Sequence, residues 1–179
     1  TGVDGEYIET SEGKIIGFAP TSARYARFYS NGSNVNGWNH YIEIKVYGAE
    51  SEKTPVTTNV ANGATLTTSA NFDRTNYIAD GQTTTTNNYA NGIPGLQWVQ
   101  MDLGAAYDLN AIQLWHYYAD GRSYRDVVVQ LSNDETFTND VVTVFNNDKD
   151  GSAGLGLGTE SEYSETSVGK IIIFDNMNA

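Results

Sequence analysis

The two ends of the chain carry the same segment. Residues 2–18 read Gly-Val-Asp-Gly-Glu-Tyr-Ile-Glu-Thr-Ser-Glu-Gly-Lys-Ile-Ile-Gly-Phe. Residues 158–174 read Gly-Thr-Glu-Ser-Glu-Tyr-Ser-Glu-Thr-Ser-Val-Gly-Lys-Ile-Ile-Ile-Phe. The offset is 156 residues throughout, so Tyr7 matches Tyr163, Lys14 matches Lys170 and Ala23 matches Ala179. Twelve of the 23 overlapping positions are identical, without a gap. Chance does not produce that, and a repeat of fixed period constrains a fold before any single element does.

Two organisations follow. The chain is a window cut from a tandem array, or the window is itself a folding unit. Segment Arg24–Gly48 is what would follow Ala179 in a next repeat, so every part of one domain is present in permuted order. Residues 49–58 read Ala-Glu-Ser-Glu-Lys-Thr-Pro-Val-Thr-Thr, charged and then Pro/Thr-rich with no apolar face, which is linker composition. Residues 1–48 are then the C-terminal part of one repeat, and residues 59–179 the N-terminal and central part of the next. Residues 59–179 can fold with 24–48, leaving 1–23 spare. Alternatively, residues 1–48 complement 59–157 and leave 158–179 spare. A spare strand can pair with a neighbouring copy by swapping or strand addition.

The local pattern is all-β. Alternating or β-branched runs occur at 25–29, 41–47, 98–103, 111–115, 127–131, 141–145 and 170–174. Polar turns at Asn31-Gly32, Asn36-Gly37, Asp80-Gly81, Asn91-Gly92 and Asp120-Gly121 separate them. No window shows sustained helical periodicity. Short strands joined by long polar loops predict a β-sandwich.

Charge narrows the function. The 22 acidic and 10 basic residues give a formal net charge of −12, which repels phosphate backbones and anionic lipid. Neither nucleic acid nor a membrane is an expected partner, and no apolar run has the length of a membrane span. There is no Cys, which excludes disulfides and thiolate chemistry. The Asn/Thr/Tyr/Gly bias is that of secreted or surface-exposed bacterial β-proteins. A start at Thr1 without Met suggests a processed or excised piece.

The order of motifs after the linker is specific. An Asn59-Val-Ala-Asn-Gly start leads to Ile78-Ala-Asp80-Gly81 and a Thr run. Then come Gln97-Trp98-Val-Gln-Met-Asp102-Leu103-Gly104, a strand ending at Trp115, Arg122, and Val127-Val-Val-Gln-Leu-Ser132. The permuted piece supplies Arg24-Tyr-Ala-Arg27-Phe and Tyr41-Ile-Glu43-Ile-Lys-Val-Tyr47-Gly48. This resembles the coagulation factor V/VIII type C, or discoidin, domain, and within it the bacterial family 32 carbohydrate-binding modules. The resemblance implies a jelly-roll β-sandwich of the galactose-binding-domain type, circularly permuted or strand-swapped here. It also implies a glycan site at a loop-rich end and a structural calcium ion.

A calcium ion takes about 6–8 oxygens, mixing carboxylates with carbonyls from a tight turn. The turn after Asp80 offers its carboxylate, a carbonyl at Gln82 and a hydroxyl or carbonyl at Thr85. The resemblance implies that Glu43 and the Ile42 carbonyl close the shell. Asn87, where the family usually has an aromatic, and Gln82, at an often acidic position, depart from the pattern. A second acidic loop, Asn146-Asn-Asp148-Lys-Asp150-Gly-Ser152, lacks the distal Glu of a calcium loop and reads as a solvated turn. The Gly-rich run 151–158 lacks the Lys-Ser/Thr of a phosphate cradle.

A sugar presents a face of C–H groups and an edge of hydroxyls, so its binder needs an aromatic platform ringed by fixed polar groups. Trp38-Asn39-His40 lies in an Asn/Gly loop without strand period, so Trp38 is a candidate platform. The loop Trp115-His116-Tyr-Tyr118-Ala-Asp-Gly-Arg122-Ser-Tyr124 supplies His116, Tyr118, Arg122 and Tyr124. His116 and Arg122 match the loop from which the family takes its hydroxyl partners. Trp98 reads as core. No paired-carboxylate or nucleophile-elbow motif is present, so the chain reads as a non-catalytic lectin-like module for an oligo- or polysaccharide. Such a module can accompany a secreted glycosidase or polysaccharide lyase. The alternative is a structural repeat or fibre subunit of an extracellular assembly.

Overall fold

The computed structural model describes residue 11 and residues 13–49, 58–70 and 72–160. Residues 1–10 and 12 of the N-terminal copy, residues 161–179 of the C-terminal copy (with the run at 170–174) and linker residues 50–57 lie outside the described residues. The described residues form seven strands and no α-helix: β1 (Lys14–Ser30), β2 (Asn39–Ala49), β3 (Thr65–Thr68), β4 (Ala90–Gly92), β5 (Gln97–His116), β6 (Val128–Ser132) and β7 (Val142–Asn146). A 3-10 turn at Thr75–Tyr77 precedes the Asp80 turn.

All pairings are antiparallel, in the order β4-β2-β5-β1-β6-β7, with β3 also on β5. β5 organises the fold. Along one edge it pairs with β1, from Lys14↔Leu114 to Ser30↔Gln97. Along the other it pairs with β2, from Tyr41↔His116 to Ala49↔Asp108, and then with β3, from Thr65↔Asp102 to Thr68↔Val99. The β1 register shifts between Gly17 and Thr21 and again between Ala23 and Tyr25. Such irregularities bend a strand and increase its twist. One continuous ladder can thereby fold across itself.

The core records that folding. Ile16, Ile44, Val46, Ile112 and Leu114 from one half of the ladder share a single cluster with Phe28, Val99, Met101, Val129 and Phe145 from the other. This is the β-sandwich expected from short strands joined by polar loops, of the galactose-binding-like type that the resemblance implies. β1 and β2, which precede the linker, and β3–β7, which follow it, are parts of one sheet.

Three expectations change. The runs at 98–103 and 111–115 belong to one 20-residue strand rather than two. Asn91-Gly92 is not a turn but part of β4, paired with His40 and Asn39. A Cβ on Gly92 would stand 2.5 Å from the Phe72 ring, so close packing explains that glycine. Trp98 lies outside the main core, half-buried in a satellite cluster with Tyr29 and Val128. Alternation points Val99 and Met101 inward, and the Arg27 guanidinium covers the Trp98 ring at 4.3 Å.

Candidate functional site

Two loop groups meet at the end of the sheet where β2 begins and β5 ends. The carboxylate pair comes from opposite sides of the linker. Glu43 sits on β2 and is fully buried. The pairing jumps from Tyr41↔His116 to Glu43↔Trp115, so Ile42 is the extra residue of a bulge and leaves the regular ladder. The turn after the 3-10 segment docks on this strand. The Ile44 N–H donates to the Ile78 carbonyl at 2.7 Å, and the Gly81 N–H donates to the Glu43 carboxylate at 3.1 Å. Gly81 adopts φ +81, which lets the turn present that N–H.

Burial, and then the nearby Asp80 carboxylate, push the Glu43 pKa up to about 8. An opposite charge placed beside both carboxylates would favour their ionised forms. Asp80 is exposed, and its Oδ1 accepts the Gln82 N–H at 2.9 Å. Gln82 and Thr85 lie exposed in the same loop. The donor chemistry fits a hard cation held by Glu43, Asp80 and backbone carbonyls.

The candidate sugar residues divide by burial. Asn39 is buried, and both ends of its amide are occupied. Its Oδ1 accepts the Gly32 N–H at 2.7 Å, while Nδ2 donates to the carbonyls of Ile93 and Gly95. It shapes the loop and does not face a ligand. His116 is also fully buried, stacked on Tyr124 at 4.3 Å and against Tyr41 at 4.7 Å. Tyr124 is buried with it. Both form the floor of the site, contrary to the expectation that they contact sugar directly. Strand β5 runs through His116 and carries it inward by alternation.

His40 and Arg122 form the next layer. The Arg122 Nη1–H donates to His40 Nδ1 at 3.0 Å, and its Nε–H donates to Asp120 at 2.7 Å. Arg is donor-only, so His40 Nδ1 is an acceptor and the ring is neutral. Burial, and then the Arg122 charge, lower the His40 pKa to about 4. Tyr89 and Tyr117 flank this ring at 5.1 and 6.1 Å and contact each other at 5.3 Å. Arg74 lies over Tyr89 and Arg122 over Tyr117, each at 4.7 Å. The result is a half-buried aromatic surface bordered by two guanidiniums and the Asp120 carboxylate. Trp38, 41 % exposed, stands one residue before β2.

Tyr89, Tyr117, Arg74 and Asp120 were not singled out in the sequence. Tyr117 lies inside the candidate loop. Tyr89 had only one signal, an aromatic in a polar Asn-Asn-Tyr stretch without strand period. Tyr118 has a different task. Its hydroxyl donates to the Thr83 carbonyl at 2.9 Å, tying the 117–124 loop to the Asp80 turn.

The second acidic loop is not a solvated turn. Asp148 is fully buried, and its carboxylate accepts the N–H groups of Gly151, Ser152 and Ala153. Asp126, Asp148 and Asp150 bring carboxylate oxygens within 4.8 Å of one another, with Ser152 donating its hydroxyl to Asp126. These bonds explain the cluster as a loop staple. A cavity of about 560 Å³ lies at the other end of β2, lined by Gly48, Asn59, Asp102 and Tyr107 among others. Among the described residues, no helix is long and apolar enough to cross a membrane.

No curated protein and no solved structure matches the chain significantly. Residues 76–163 match the family model of the F5/F8 type C domain described as NedA-like and galactose-binding. That span includes the Asp80 turn, Tyr89 and the 117–124 loop, while β1, β2 and β3, which precede it, complete the same sheet. Over residues 76–163, just under half of its length, the chain is therefore similar to F5/F8 type C domains of the galactose-binding-like kind.

Proposed function

We propose that this chain is a non-catalytic carbohydrate-binding module of a secreted or cell-surface bacterial protein. The observation that carries the reading is the Tyr89–Tyr117 surface over neutral His40, bordered by Arg122 and Asp120. A pyranose offers C–H groups to the rings and hydroxyls to the guanidinium and carboxylate. Trp38 supplies a further ring to an oligosaccharide. The galactose-binding description of the matched family makes terminal galactosides the first sugars to try.

Calcium belongs to the same reading. Glu43, Asp80 and the Ile42 carbonyl would hold it, with Gln82 and Thr85 offering further oxygens. Bound there, the ion neutralises two carboxylates and fastens the Asp80 turn to β2. Through Tyr118 and Thr83, that fastening extends to the sugar loop. The module supplies binding, and any hydrolysis belongs to an attached enzyme.

Calorimetric titration against a galactoside-led glycan panel, with calcium and with chelator, tests this. Binding that weakens in Tyr117→Ala supports it. No binding to any glycan, or binding indifferent to Tyr117→Ala and Trp38→Ala together, overturns it.

A further inference from the structure

The first half of β1 fills a place that the sequence offers to two segments. Gly13 to Phe18 and Ala23 are buried there. At the offset of 156, every one of these recurs except Gly17, which is matched by Ile173. The half-buried Thr21 and exposed Ser22 are matched by different residues, Met177 and Asn178. At the buried positions the copies thus agree everywhere but Gly17, while the less buried Thr21 and Ser22 both differ.

Gly13 shows how strict that constraint is. It adopts φ +65, and a Cβ there would stand 2.4 Å from the Trp115 ring. Only glycine fits, and Gly169 supplies it. The Trp115 indole N–H donates to the Ser11 carbonyl at 3.0 Å, and Ser167 repeats Ser11. Ile16 and Phe18 enter the core, and Ile172 and Phe174 repeat them. Ile173 adds a β-branched residue where Gly17 weakens the strand.

The C-terminal copy also departs beside this place. The Glu160 N–H donates to the Asn146 carbonyl at 3.1 Å. The adjacent Phe145 ring lies 5.1 Å from the Lys14 ammonium, where β1 begins. The chain from Glu160 to Gly169 can span about 30 Å when extended.

We propose that residues 169–179 can replace residues 13–23 beside β5 within the same chain, so that two interchangeable strands serve one place. The same chain is favoured over a second copy by counting. Each chain brings one place and two claimants, so exchange between chains fills no additional place. A tethered strand meanwhile competes at an effective concentration on the order of mM.

Redundancy has a signature in the full chain. Ile16→Asp and Ile172→Asp should each keep a cooperative thermal transition within a few degrees of the parent. The double variant should lose it or fall by more than about 10 °C. If Ile16→Asp alone falls as far as the double variant, the proposal is overturned.

A register-specific disulfide gives a second readout, because the chain has no cysteine of its own. Ser22 lies opposite Asp108, and Asn178 corresponds to Ser22. Asn178→Cys with Asp108→Cys should form an intrachain link, found by peptide mapping. Ile16→Asp should increase its yield and Ile172→Asp should abolish it. Absence of the link while Ser22→Cys with Asp108→Cys closes overturns the proposal. A link found only between chains, or one indifferent to Ile172→Asp, does the same.

Discussion

The Tyr118 hydroxyl reaches the Thr83 carbonyl at 2.9 Å, bridging the loop that carries Arg122 and the turn that carries Asp80. The side chain is half-buried, and desolvation raises its pKa, so the phenol stays a donor at neutral pH. One neutral hydrogen bond contributes about 1 kcal/mol net. Tyr118→Phe should therefore leave the fold intact and loosen the coupling between the loops. In calorimetry, glycan affinity of the variant should depend less on calcium than that of the parent. An unchanged calcium dependence would show that the two loops act separately.

Glu43 gives the metal-free protein a definite pH response. Its folded pKa, about 8, stands above the ordinary value of 4.5. The folded state then holds more protons than the unfolded state between those values, so this group's contribution falls as pH rises through that window. Calcium should reverse the trend, because it binds the ionised carboxylate. Thermal melts at pH 8 should show the parent stabilised by calcium and weakened by chelator. Glu43→Gln should lose the calcium response and, in chelator, melt no lower than the parent.

His40 acts with the opposite sign. Its folded pKa, about 4, lies below the usual 6.5, so the unfolded state binds more protons between the two. Its contribution is full above pH 6.5 and is lost as pH falls toward 4. Melting temperature followed across that range should drop less steeply in His40→Gln than in the parent. The comparison is cleanest in Glu43→Gln, where the opposing slope is removed.

Trp38 and Tyr117 should contribute separately to sugar binding. Tyr117 lies against His40 and under Arg122. The Trp38 backbone N–H donates to Asn36 Oδ1 at 3.0 Å, and its side chain is exposed. Removing a stacking ring should weaken a bound glycan by about tenfold, or about 1.4 kcal/mol. Tyr117→Ala should weaken monosaccharides and oligosaccharides alike. Trp38→Ala should weaken longer glycans more than monosaccharides, with no change in melting temperature.

Alternation made β2 legible in the sequence, while β6, buried throughout, and β7 were legible as short β-branched runs bounded by polar residues. Alternation divided β5 in two, since Gly104–Asn110 shows none. Hydrogen bonding to β1 and β2 nevertheless carries the strand through Tyr107–Leu109. β3 and β4 are short and polar, and only their pairing partners define them. The Glu43–Asp80 pairing was legible through the resemblance to discoidin domains. The roles of His116 and Tyr124 were not. Residue type marks them as possible sugar partners, and only the inward face of β5 and the closure of the loop decide that they become floor. Neutral His40 was equally hidden, since its state depends on Arg122, 82 positions away.

The shared dependence of β1, β2 and β3 on β5 reaches beyond packing. Each is held to that strand by its own ladder, so chain continuity between Ala49 and Thr58 is not what joins the halves. A nick there should leave two pieces that co-purify and denature together. Such a domain is naturally separable into complementing fragments, and the order in which a gene encodes them is free to drift.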